Sequence, residues 1–277
     1  MCIETWPWQD LPRGRVRRAV VERVGWIQLC APPANNTSLE LLQDLDEAIL
    51  AHRFDPEVDV LVLTGAGERF FCAGADIGIL REAEPAWKAM FCLYAAETLD
   101  RLERTPKPVV AALNGHCVGG GLEIALACDL RWVREAPEGG PGLKIGLPEL
   151  RLGLLPGTGG TQRLARLLGK ARALELILEG TLLGPEEARE RGLAEAVLPA
   201  EGFLEAVQER ARRWTRPQGA PLAAGAVKRA IQAGPEAGLE VGQALERELQ
   251  ARLFQSQDAR EGLHAFLEKR EPRFEGR

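Results

Sequence analysis

The sequence predicts an α/β fold, because strand-like and helix-like segments alternate up to Leu198 and only helix-like segments follow from Phe203 onward. Two apolar runs of β type, Val58–Thr64 and Val109–Leu113, each stop at a glycine-bearing turn, and a strand-strand-helix rhythm recurs loosely before residue 200. With 277 residues the chain can bury a substantial core. We divide it into a lead-in (1–17), an α/β core (18–200) and a helical C-terminal region (201–277).

Taken in order, Arg18–Leu29 (RAVVERVGWIQL) is β-branched and apolar and is broken by Gly25, which suits a hairpin or two short strands. Ala31–Thr37 is a loop. Ser38 is placed to cap a helix with Leu39, Leu42, Leu45, Ala48 and Ile49 on one face, and Asp55-Pro56 ends it. Val58–Thr64 is a buried strand stopped by Gly65-Ala66-Gly67. Phe70–Ile77 (FFCAGADI) reads either as a tight turn before a helix from Ala86 to Arg104 or as a place where backbone amides face a ligand. Thr105–Pro108 is a stiff turn, Asp129–Arg134 a short strand and Glu135–Gly142 (EAPEGGPG) a surface loop. Ala171–Glu179 and Pro185–Arg191 follow as helices and Leu193–Leu198 as the last strand. The closing helices break near Pro217, Pro221 and Gly234-Pro235.

Composition narrows the function. Forty acidic against 35 basic residues give a net charge of -5, which argues against a general nucleic-acid or anionic-membrane binder. Six cysteines lie scattered in apolar segments without CxxC spacing, and only three histidines accompany them, so they read as reduced core thiols rather than metal ligands or disulfides. No apolar run approaches the roughly 18 residues of a membrane helix. RGRVRR near the N-terminus is read as a solvated lead-in, and a cytoplasmic location is expected.

The chemistry concentrates in Pro108–Leu130 (PVVAALNGHCVGGGLEIALACDL). A β-type run ends at Asn114-Gly115, and Gly119, Gly120 and Gly121 then open a segment of helical period. Glycine lacks Cβ, so a ligand can approach, and the first amides of a helix have no intrahelical partner. Those donors and the positive end of the helix dipole suit an oxyanion. Glu123 follows in the first turn and puts a carboxylate beside them. Glu149, after Pro148, is the second carboxylate of interest. GTGG and GAGE complete neither GxGxxG nor GxxxxGK, so a dinucleotide or ATP site is discounted.

These residues resemble the crotonase (enoyl-CoA hydratase/isomerase) superfamily. The likeness runs from about Val20 to Phe274, through VLVLTGAGERFFCAGADI, PVVAALNGHCVGGGLEIALACDL, GLPELRLGLLPGTGGTQRLARLLG, GLAEAVLP and EGLHAFLEKREPRF. It implies a crotonase-like spiral of strand-strand-helix turns followed by a helical trimerisation region, with homotrimers or dimers of trimers. It further implies Ala75 and Gly120 amides as the oxyanion hole and Glu123 and Glu149 as the catalytic glutamates of a hydratase. Asp76 and Ile77 match positions along the coenzyme A path. Phe266 and Lys269 match tail residues that reach the adenosine end of coenzyme A, typically from a neighbouring subunit. Two departures stand out: Asn35 is followed by Asn36-Thr37 with no basic residue in that loop, and EAPEGGPG is long.

The activity so implied is hydration of trans-2-enoyl-CoA to 3-hydroxyacyl-CoA, with the helix N-terminus favouring an ionised Glu123. The alternatives are a Δ3,Δ2-enoyl-CoA isomerase, which needs only one suitably placed base, and an RNA-associated member of the family, against which the charge and the lack of a basic stripe argue. A structural trimer without catalysis sits poorly with two retained glutamates. Trp87, Met90, Phe91 and Tyr94 are expected either to border the acyl pocket or to face the core. No metal or redox cofactor is implied, coenzyme A being part of the substrate, so insensitivity to chelator is expected.

Overall fold

The computed structural model describes residues 3–136 and 142–277. Most of the expected EAPEGGPG loop therefore lies outside the described residues. The chain starts with β1 (Gln9–Asp10), β2 (Val16–Val21) and β3 (Val24–Leu29), an antiparallel meander, and α1 (Leu39–Phe54) follows. Three strand-strand-helix turns come next. They are β4 (Val60–Gly65) and β5 (Phe70–Cys72) with α2 (Ile77–Glu82) and α3 (Pro85–Glu103), then β6 (Val109–Leu113) and β7 (His116–Val118) with α4 (Gly120–Leu126), then β8 (Leu130–Arg134) and β9 (Ile145–Gly146) with α5 (Gly160–Leu168).

The first strand of each turn joins one sheet and the second strand joins another. The larger sheet runs β1-β2-β3-β4-β6-β8, with β3, β4, β6 and β8 parallel, and a three-stranded parallel sheet runs β5-β7-β9. After α6 (Lys170–Glu179) and α7 (Pro185–Glu190), β10 (Ala196–Leu198) closes the larger sheet against β8. Helices alone follow: α8 (Phe203–Arg212), α9 (Pro221–Ala237), α10 (Leu239–Phe254) and α11 (Gln257–Glu268). The α/β spiral and the helical tail are thus observed.

The β4 and β6 side chains are buried on both faces, as their unbroken apolar runs require. One core lies under α1 and α4 and takes in Leu41, Leu45, Leu63, Phe71 and Leu122. A second covers the other face of the larger sheet, where Trp26 and Trp132 meet Phe203 and Val207 of α8. Burying these apolar faces is worth about 25 cal/mol per Å² and is the main force holding the layers together.

Several local expectations change. Gly25 is not the hairpin break. The turn is Glu22-Arg23, both at positive φ, and Gly25 sits within β3, where a Cβ would stand 2.8 Å from Val58 and 3.0 Å from His52. Phe70–Cys72 is a strand before its turn, and β7 intervenes between Asn114-Gly115 and the triple glycine. Helix α9 runs through Gly234-Pro235 and stops at Gly238. Residues 9–10 and 16–17, read as lead-in, are strand, and Asp44 of α1 accepts hydrogen bonds from the Arg13 and Arg15 amides beside them. Five of the cysteines (Cys30, Cys72, Cys92, Cys117 and Cys128) are free thiols, while Cys2 lies outside the described residues. No helix among the described residues is long and apolar enough to cross a membrane.

Candidate active site

The small sheet carries the site. At the ends of β5 and β7 the backbone turns sharply through Gly74 (φ +79°) and Gly119 (φ +57°), conformations that side chains with Cβ rarely adopt. These turns pack backbone against backbone, since a Cβ on Gly74 would sit 2.9 Å from the Gly120 nitrogen. The Ala34–Thr37 loop straps the first turn in place: Ala73 N–H donates to Ala34 O (3.0 Å), Thr37 N–H to Gly74 O (2.9 Å) and Asn36 Nδ2 to the same oxygen (3.0 Å). Asn35 anchors this strap by donating to the carbonyls of Ala66, Phe70 and Phe71.

Gly120 is the first residue of α4, so its amide has no acceptor within the helix. Among the described residues, the Ala75 amide likewise donates to no loop or cap carbonyl. Both residues line one cleft of about 330 Å³ together with Glu123 and Glu149. The structure therefore brings all four together.

The two carboxylates meet in unlike settings. Glu123, only 3% exposed, rises from the first turn of α4, and its Oε1 accepts from the Thr158 amide (2.7 Å) and the Gly160 amide (2.8 Å). Gly160 opens α5, so this second helix end and the preceding loop hold the carboxylate in addition to the first turn of α4, where the sequence places it. Glu149 begins a short 3₁₀ turn after β9 and Pro148. A Cβ on Gly119 would stand 3.2 Å from Glu149 Oε1, so the glycine clears space for this carboxyl. Its Oε2 is buried with no hydrogen-bond partner. Burial, reinforced by the Glu123 charge, pushes Glu149 up to about 7.

One cleft thus holds a carboxylate that two amides stabilise and a carboxyl that is readily protonated. Such a pair can take a proton from one atom and give one to another.

The remaining expected residues divide. Ile77 lies on the rim of the cleft. Asp76 caps α2, its Oδ1 accepting from Gly78 N–H (2.7 Å), and borders an adjoining cavity of about 260 Å³ with Thr37, Ser38 and Trp87. Phe91 lines both cavities, Trp87 stacks on it at 5.3 Å, Tyr94 packs on the small Leu42-Phe91-Ala95 core, and Met90 is exposed. Phe266 and Lys269 do not join the site in this chain. They lie at the end of α11, Phe266 is 82% exposed, and neither lines either cavity.

Sequence reasoning missed Thr37, Thr158 and Gly160. For the last two the signal is LPGTGG, a glycine cluster that completes no nucleotide loop. Its glycines expose amides to a carboxylate instead.

A sequence profile described as enoyl-CoA hydratase/isomerase matches residues 20–277. The chain is 39% identical to a putative enoyl-CoA hydratase/isomerase of Bacillus subtilis, over 92% of this chain and 95% of that one. It is 37% identical to the 2,3-dehydroadipyl-CoA hydratase of Escherichia coli, over 92% and 96%. The structure superposes on an enoyl-CoA hydratase from Geobacillus kaustophilus with a TM-score of 0.89 and 45% identity, covering 95% of this chain and 97% of the other. Match over nearly the whole length in sequence and in fold places this chain in the enoyl-CoA hydratase/isomerase family, with the crotonase fold.

Proposed function

We propose that the protein adds water across the double bond of trans-2-enoyl-CoA thioesters to give 3-hydroxyacyl-CoA. The observation that carries this reading is the pair of carboxyls on one cleft, Glu123 held by two amides and half-buried Glu149 with one buried, unpartnered oxygen. Moving a proton within the acyl chain needs one base, whereas adding water needs an acceptor and a donor.

In this reading ionised Glu123 takes a proton from a water held between the two side chains. The water oxygen forms its bond to C3, the C2–C3 π pair moves toward the thioester, and negative charge collects on the carbonyl oxygen. Ala75 and Gly120 amides receive that charge as an oxyanion hole. A donor so placed is worth about 10² to 10³ in rate. Protonated Glu149 then delivers its proton to C2. The proton on Glu123 and the vacancy on Glu149 are rebalanced through solvent, and no cofactor is consumed.

The cavity beside Asp76, which shares Thr37, Ala75, Leu80 and Phe91 with the catalytic cleft, is the entry assigned to the coenzyme A moiety. Phe266 and Lys269 contribute to it from a neighbouring subunit of a trimer or a dimer of trimers. The exposed apolar residues of the tail helices support such an assembly.

The test follows the loss of conjugated thioester absorbance with short- to long-chain trans-2-enoyl-CoAs and identifies the product by mass. Addition of one water is expected. A protein that leaves every 2-enoyl thioester unchanged while converting 3-enoyl into 2-enoyl thioesters would instead be an isomerase.

A further inference from the structure

The loop that grips Glu123 is itself gripped from behind. Thr158 is flanked by Gly157, Gly159 and Gly160, and so glycine-rich a segment does not hold its shape unaided. Arg163 of α5 supplies the hold. Its Nη1 donates to the Thr158 carbonyl (3.2 Å), its Nε to Glu103 (2.9 Å) and its Nη2 to Asp100 (2.7 Å). Asp100 and Glu103 lie on the last turns of α3, so one planar guanidinium ties α3, α5 and the loop together. The Arg163 side chain is 9% exposed, which restricts it to this arrangement. Gly159, at φ +113°, makes the approach possible, because a Cβ there would collide with Nη1.

We propose that Arg163 is a positioning residue for the hydration. It fixes the Thr158–Gly160 loop so that the Thr158 and Gly160 amides hold Glu123 at the water. This proposal rests on the reading of Glu123 as the proton acceptor. Arg163 does not line the catalytic cleft and borders a different cavity, so it acts through the loop and not on substrate. The fork geometry matters as much as the charge, since a lysine ammonium cannot bond the carbonyl and both carboxylates in one plane.

The test compares Arg163→Met, Arg163→Lys and the double variant Asp100→Asn/Glu103→Gln with the wild type, on an enoyl-CoA that the wild type hydrates. Thermal melting shows that each is folded. For Arg163→Met the expected result is a kcat lower by about 10- to 100-fold, since a displacement of roughly 1 Å at a reacting group can cost 10². KM stays within a few fold, because what has moved is the loop that holds Glu123 and not a group that binds the substrate. Arg163→Lys recovers only part of kcat. The double variant, which removes the anchoring charges and keeps the arginine, lowers kcat by less, again at nearly constant KM. A residue that merely supports the fold would lower the melting temperature and leave kcat of the folded variants near that of the wild type, with nothing for lysine to rescue, and that result overturns the proposal. Absence of hydration in the wild type would instead sink the functional reading itself.

Discussion

Glu149 shows how much one side chain's surroundings decide. Its carboxyl is held neutral to about 7 because burial penalises the charge and Glu123 adds to that penalty, and no donor reaches its Oε2. Glu149→Gln is expected to lower kcat by about 10² to 10⁴ with little change in binding of the coenzyme A ester, and Glu123→Gln to do the same. Steady-state kinetics on both variants checks this, and near-normal turnover in either would refute its role. The sign of the pH effect follows from the raised value. In the proposed hydration Glu149 gives its proton to C2 and must start protonated, so kcat/KM in that direction should decline as pH rises through about 7. Stability moves the same way. A carboxyl raised from 4.5 to about 7 favours the fold fully below 4.5, and that contribution fades as pH climbs through 7. Glu149→Gln should therefore gain on the wild type in melting temperature between pH 5 and pH 8. Both glutamates were legible in the sequence, because a carboxylate after a triple glycine and another after LP stand in recognisable blocks. The partners that divide their roles were not: Thr158 and Gly160 lie 35 and 37 residues from Glu123, and contacts at that separation are made only by the fold.

At the scale of elements, close approach rather than propensity sets the limits. Helix α4 can lie against β5 only because Gly121 has no Cβ, since one there would collide with the Cys72 carbonyl. Gly121→Ala should cost about 1–3 kcal/mol or more, as overpacking does, and should also shift the neighbouring Gly120 amide. Denaturant titration reads the first effect and kcat the second. Helix α1 makes a comparable contact. His52 is fully buried against β3, its ring nitrogen Nε2 is 3.1 Å from the Trp26 carbonyl, and burial pushes it down to about 4. Its contribution to stability is present above 6.5 and is lost as pH falls toward 4, because the unfolded chain takes up the proton first. That amounts to about 2 kcal/mol at pH 5. His52→Gln should flatten the fall in melting temperature between pH 7 and pH 5, and an unchanged slope would contradict the assignment. The long elements were readable because their periodicity is sustained. The second sheet was not, because β5 and β7 have three residues each and β9 two, too few to show a period. The hairpin within Arg18–Leu29 was legible, but its Glu22-Arg23 turn was not, because neither residue is the glycine or asparagine that such a turn favours.

Over the whole molecule the burial is uneven, and the proposed assembly would account for the imbalance. The spiral has its own cores, but α10 runs 16 residues with none buried, and Leu239, Val241 and Phe254 stand exposed on it. Val227 and Ile231 of α9 and Leu263, Phe266 and Leu267 of α11 extend the apolar surface. Apolar patches beyond a few hundred Å² are uncommon on monomers and mark contact sites. The tail's sequence was legible as helix, and only the family resemblance suggested an interface there, since an amphipathic face looks the same whether its own chain or another covers it. Self-association into a trimer or a dimer of trimers would cover these helices, and it would carry Phe266 and Lys269, which lie away from the cleft in their own chain, toward a neighbour's coenzyme A entry. Light scattering should then give three or six times 30.2 kDa at micromolar concentration. Ile231→Asp with Leu239→Asp should shift the mass toward that of one chain, because a desolvated carboxylate in an apolar contact is strongly unfavourable. Lys269→Ala should raise KM for the coenzyme A ester by several-fold at unchanged mass and kcat, and a lone chain with full activity would show that the tail serves neither assembly nor substrate.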